Sequence, residues 1–90
     1  MTKDEVKETT EITLGKPHKT ILFNDESHAM DEVASQIMKA INCGVSEAFD
    51  IMMAAHKTGS AVVITSHKEK CEHVSSILEQ IRLSTKVEPC

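Results

Sequence analysis

Five histidines, three cysteines and the polar run Asn24-Asp25-Glu26 are the residues of this chain whose types suit chemistry. The histidines stand at positions 18, 28, 56, 67 and 73, with no H-x-x-x-H pair among them. His67 and Cys71 lie one helical turn apart and would supply half of a zinc site, which needs four ligands. No metal or other cofactor is therefore expected. Cys43, Cys71 and Cys90 form no C-x-x-C pair, and an odd number at wide spacing reads as reduced thiols. There is no G-x-S-x-G, Walker or dinucleotide pattern, and three glycines do not build a phosphate loop. A hydrolase using His56 with Asp25 would need a serine or cysteine nucleophile, and none stands beside that histidine.

The remaining candidates each have an ordinary structural reading as well. Asn24-Asp25-Glu26 fits a solvated turn before a helix, acidic because the helix dipole favours acid there. His56 follows Phe49 by seven residues and Met52 by four, so it points toward an apolar face, as a core or helix-terminal histidine would. Met30, Met52 and Met53 fit a core, though methionine also lines adaptable binding surfaces.

The elements that position these residues can be read from period and punctuation. Residues 1–16 are rich in charge and threonine and end at Gly15-Lys16-Pro17, which reads as a flexible tail ahead of one core domain over 17–90. Thr20-Ile21-Leu22-Phe23 is a strand leading into a polar turn. Met30, Val33, Ile37, Met38 and Ile41 recur at helical spacing, with Ser27 or His28 where the helix begins, Ser27 being the better cap by chemistry, and Gly44 as the left-handed stop. A second helix, capped by Ser46, carries Phe49, Met52, Met53 and His56 and closes at Gly59. Ala61-Val62-Val63-Ile64-Thr65 reads as the central strand, because it is apolar throughout. Ser66-His67-Lys68-Glu69 has the S-x-x-E form of a capping box, opening a helix with Cys71, Val74, Leu78 and Ile81 on one face. Thr85-Lys86-Val87-Glu88 alternates as an edge strand does. The predicted fold is α+β, ordered β-α-α-β-α-β, with a three-stranded antiparallel sheet packed against three helices.

Composition narrows the function class. A net charge of −4 provides no basic face for phosphates, and two aromatics, Phe23 and Phe49, make no stacking platform, so no nucleic-acid partner is expected. No apolar run approaches the ~20 residues of a membrane span, and the polar N-terminus is unlike a secretory signal.

The stretch from His18 to Glu26, HKTILFNDE, followed by Met30 and Val33, resembles the strand-turn-helix of the ClpS adaptors. That family reads as an apolar strand, Asn-Asp-Asp, then Thr-Pro-Met and a valine. The stretch from Ala48 to Gly59, AFDIMMAAHKTG, is similar to its Ala-x-x-Ile-Met-x-x-Val-His-x-x-Gly helix, and an Ala-Val strand follows in both. The resemblance runs from Lys16 to Glu88.

What it implies is a non-enzymatic adaptor of the bacterial cytosol. Such an adaptor grips N-degrons, proteins whose first residue is a bulky hydrophobic one, and delivers them to a Clp AAA+ unfoldase of the ClpA or ClpC type working with ClpP. Contacts to the substrate α-amino group fall on Asn24, Glu26 and His56, with Asp25 as a supporting acid. The side-chain pocket falls on His28, Met30, Val33, Met52 and Ala55, and on Leu83 through the C-terminal strand. The tail would serve in delivery. An α-ammonium needs acceptors, and each charge-assisted bond to one is worth ~1.5–3 kcal/mol. Burying a leucine-sized side chain contributes a similar ~1.5–3 kcal/mol.

The chain departs from the family at several of these positions. Glu26 replaces an aspartate, His28 a threonine, Ala29 a proline and Ala55 a valine. His28 and Ala55 together imply a reshaped pocket with a polar rim, suited to Tyr or Trp. The residues with which the family docks its unfoldase have no clean match around Lys68, Glu69 and His73. The alternative expectation is a divergent ClpS-like interaction module with altered or lost N-degron specificity.

Overall fold

The computed structural model describes residues 16–90; the expected tail over 1–16 lies, but for Lys16, outside the described residues. The elements are β1 (Pro17–Phe23), α1 (Met30–Ile41), α2 (Val45–Thr58), β2 (Ser60–His67), α3 (Lys68–Glu79) and β3 (Thr85–Pro89). They form the expected order around an antiparallel sheet of three strands arranged β2-β1-β3. The middle strand is thus β1, and the apolar β2 lies at an edge with Val62 48% exposed. An uninterrupted apolar run does not distinguish a central strand from an edge one. Burial does: Thr20 and Leu22 of β1 are sealed beneath the helices. The buried Thr20 hydroxyl donates to the Cys71 carbonyl at 2.8 Å, so the polar atom carries no unpaired cost.

The helices start and stop by different means from those the sequence suggests. α1 ends on Asn42, left-handed at φ 56°, whose N–H donates to the Met38 carbonyl. Asparagine tolerates that region, so Gly44 is free to stand extended at φ −81° as the residue before α2. Ser46 accordingly lies inside α2 and does not cap it. The cap of α3 is His67, whose Nδ1 accepts the Lys70 N–H at 3.3 Å, in place of Ser66.

The buried face of α2 is Ala48, Met52 and Ala55, one position away from the expected stripe, which leaves Phe49 and His56 exposed. Two small alanines on that face leave room for α2 to lie close against its neighbours, and Met52, the third buried residue, is a side chain that adapts to irregular space. Leu22, Ile37, Val74 and Leu78 form the fully buried centre. Gln36, also buried, donates to the Ile77 carbonyl at 2.6 Å and ties α1 to the end of α3.

Candidate functional site

The site is built where β1 runs out. The Phe23 N–H donates to the Ser84 carbonyl at 3.0 Å and the Asn24 N–H to the Gly59 carbonyl at 2.9 Å. The strand exit is thereby stitched to the C-terminal end of α2. Gly59, at φ 97°, is the residue that permits this, since it ends α2 and presents its carbonyl to Asn24 within one sharp turn.

The loop to α1 is organised by Asp25. One carboxylate oxygen accepts the Ser27 N–H at 2.6 Å, the Ser27 hydroxyl at 2.9 Å and the His28 N–H at 3.0 Å. The other faces His28 Nδ1 at 2.9 Å. Ser27 is therefore a donor to Asp25 and not the cap of α1, which begins at Met30 behind Ala29 with no side-chain cap. The hydrogen bond from His28 pulls the Asp25 carboxyl down to about 2, against a smaller upward push from burial. Conversely, the bond to Asp25 holds the His28 imidazole above its ordinary value against burial, helped by the Ile81 carbonyl and the Glu32 carboxylate.

Asn24 makes a different use of its side chain. Its amide N–H donates to Glu26 Oε2 at 2.9 Å, which fixes the amide plane and leaves Asn24 Oδ1 and Glu26 Oε1 without a hydrogen bond among the described residues. Two acceptors, one of them charged, thus stand side by side on the loop.

These groups surround a cavity of about 180 Å³. The loop contributes Asn24, Asp25, Glu26 and His28; α1 contributes Met30 and Val33; α2 contributes Met52, Ala55 and His56. Nine of the ten residues singled out from sequence therefore line one space. The tenth, Leu83, does not. Arg82, left-handed at φ 67°, turns the chain back on α3, and Leu83 is buried in the core at 2% exposure. Leu22 and Phe23 also line the cavity, and sequence reasoning missed them. The signal was present: they are the last residues of the strand that delivers Asn24.

The walls and the mouth differ in character. Leu22, Val33, Met52 and Ala55 are buried and apolar, whereas Glu26 and His56 are exposed and Met30 is 49% exposed at the rim. An apolar cavity of ~150 Å³ is enough to hold benzene. The space is therefore large enough for one bulky apolar group, and the acceptor side chains of the loop lie among its lining. Among the described residues no group of three or more histidine, cysteine or acidic side chains could hold a metal, and no helix is long and apolar enough to cross a membrane.

Residues 14–87 match the family model for the ATP-dependent Clp protease adaptor protein ClpS. The ClpS adapter of Synechococcus elongatus is 32% identical over 90% of the chain and 86% of its own length. That of Gloeobacter violaceus is 37% identical over 80% of the chain and 78% of its own length. The Drosophila melanogaster E3 ubiquitin-protein ligase UBR1 is 36% identical over 79% of the chain, a match spanning only 4% of that ligase. Among solved structures, Agrobacterium tumefaciens ClpS2 bound to L-phenylalaninamide superposes with a TM-score of 0.78 at 23% identity, covering 83% of this chain and 98% of that one.

Proposed function

The chain belongs to the ClpS family of Clp protease adaptors, which are not enzymes, and we propose that it captures substrates by a free N-terminal amine and a bulky apolar first side chain. One observation carries this reading: Asn24, Glu26 and His56 stand at the mouth of a cavity whose walls are Leu22, Val33, Met52 and Ala55. An α-ammonium has three donors and the mouth has three acceptor side chains: amide oxygen, carboxylate and imidazole nitrogen. The volume behind them is sized for one residue. Capture of a terminal amine is a recognition mode in its own right. The solved relative in complex with L-phenylalaninamide, a free amine joined to a benzyl group, supports the same chemistry.

Capture serves delivery. The substrate so held is passed to a Clp AAA+ unfoldase of the ClpA or ClpC type, with the residues before Pro17 taking part in the transfer. Reconstituting degradation of a Leu-initiated reporter with each unfoldase, and with residues 2–14 deleted, tests that step. No stimulation by the full chain with either unfoldase would sink it.

The test of capture is fluorescence anisotropy with a Leu-initiated peptide and its N-acetylated twin. Acetylation removes the charge and leaves Glu26 and Asn24 desolvated without a partner, so nearly all affinity should vanish. Equal binding of the two would end the amine reading and leave a ClpS-like module of other specificity.

A further inference from the structure

Beside the cavity lies a second, larger and more open groove of about 560 Å³, lined by Met30, Asp31, Ala34, Ser35 and Met38 of α1 and by Val45 and Phe49 of α2. It follows the seam of the α1–α2 hairpin from the cavity end, at Met30, to the loop end, at Met38 and Val45. Three of its apolar lining residues are exposed: Met30 is 49%, Val45 66% and Phe49 44% exposed. Scattered exposed hydrophobics need no explanation, but a contiguous set along one seam marks a binding surface.

We propose that this groove is a second subsite of the same binding surface, taking the residues that follow the captured N-terminal residue, with a preference for apolar side chains next to a basic one. The proposal rests on the amine-capture reading. Three features identify the occupant. Met30 lines both spaces, so the groove continues directly from the cavity. The amine acceptors come from the end of β1 and the last turns of α2, whereas Met30 comes from the first turn of α1. A chain whose amine is held on the Asn24 side and whose first side chain fills the cavity crosses Met30 as it leaves, and so enters the seam. The eight helical steps from Met30 to Met38 span about 12 Å, the length of three to four extended residues. Finally, Asp31 is the charged side chain lining the groove, so a lysine or arginine is favoured there and an acidic residue repelled.

The experiment compares L-phenylalaninamide with three peptides that share an N-terminal leucine and continue Leu-Lys, Gly-Ser or Asp-Glu. The wild type should bind the Leu-Lys peptide about fivefold more tightly than the Gly-Ser one, the Asp-Glu peptide being weakest. Phe49→Ser and Val45→Ser, both at exposed positions outside the cavity, should erase that ranking while leaving L-phenylalaninamide affinity unchanged. If L-phenylalaninamide binds but the three peptides do not differ, or the variants leave the ranking intact, the groove is not a subsite. If the variants abolish self-association instead, the groove is a contact between copies and the proposal is overturned. If neither L-phenylalaninamide nor any peptide binds, amine capture itself fails and the subsite with it.

Discussion

Asp25 Oδ2 lies 2.9 Å from His28 Nδ1, and the remaining oxygen of the same carboxylate takes three further bonds within residues 25–28. This pair settles how the acids of the loop divide their work. Asp25 lines the cavity, yet its lone pairs are spent holding the turn, so it is a positioning residue and not a free acceptor for an amine. Glu26, sharing only one oxygen with Asn24, keeps the other available. Two adjacent carboxylates thus have separate tasks, one internal and one facing outward.

The pair should make loop stability depend on pH in a defined window. His28 is raised above 6.5, so its share is complete below that value and fades as pH climbs through the raised one. Asp25 is lowered from 3.8 to about 2, so its share is complete above 3.8 and fades as pH falls toward 2. The two overlap between these limits. Asp25→Asn should accordingly lower the thermal midpoint more at pH 5.5 than at pH 9, with Glu32→Gln causing a smaller change of the same sign. A difference constant across that range would show that the loop is held by the neutral hydrogen bonds alone.

Met30 should gate the cavity. It stands half exposed and lines both the cavity and the seam, so on the proposed reading it would limit the width available near the β-carbon of an entering side chain. Met30→Ala should raise the affinity for Ile- and Val-initiated peptides relative to the wild type, at a loss of a few-fold for Leu. Because so much of the side chain is in water, the fold should not suffer. An unchanged preference order in competition anisotropy would reduce Met30 to surface packing.

Much of this could be read from residue order, and what could not has a physical cause. The β-α-α-β-α-β order follows from period and glycine placement, and the nine cavity residues from two motifs that the fold brings together. Strand order was not legible, since β2 is the more apolar strand and yet lies at the edge. Caps failed for a common reason. Ser27, Ser46 and Ser66 all have the right side chain, but Asp25 recruits the first, Gly44 begins the helix ahead of the second, and His67 pre-empts the third. The face of α2 was misread by one residue because Phe49 outweighs Ala48 in any hydrophobic count, while close packing selects the alanine. Leu83 lies in the core just past a left-handed turn at Arg82, which nothing in that residue announces.

Gly59 should couple the fold to the site. Its φ of 97° is strained for any residue with a Cβ, although a Cβ there would meet nothing within 4 Å. Gly59→Ala should therefore destabilise through the backbone alone, by roughly 1–2 kcal/mol. Relaxing that strain moves the carbonyl that holds the Asn24 N–H, so affinity for a Leu-initiated peptide should fall as well. Calorimetric melts and anisotropy on the same sample decide it. Retained affinity in a destabilised variant would show that Asn24 is positioned by Glu26 without help from α2.

His28 should set which first residue is preferred, through its charge. The ring lines the cavity while Asp25 pins its Nδ1, so it cannot swing freely into solvent as an unpaired histidine would. A pinned imidazolium favours the face of an aromatic ring over an aliphatic group of similar area. It also repels the substrate ammonium, but that penalty falls on every peptide alike and cancels in a ratio. The quantity to measure is therefore the affinity of Phe-, Tyr- and Trp-initiated peptides relative to a Leu-initiated one, at pH 5.5 and pH 8.5. In the wild type the aromatic preference should grow by about two- to fivefold at the lower pH, where the ring is charged. His28→Thr should remove that growth and move the ranking toward Leu at both values. Asp25→Asn should weaken it, because the ring then loses both its anchor and the partner that keeps it protonated. If the aromatic-to-leucine ratio is the same at both pH values and in His28→Thr, the ring is a bystander at the rim and the walls alone choose the side chain.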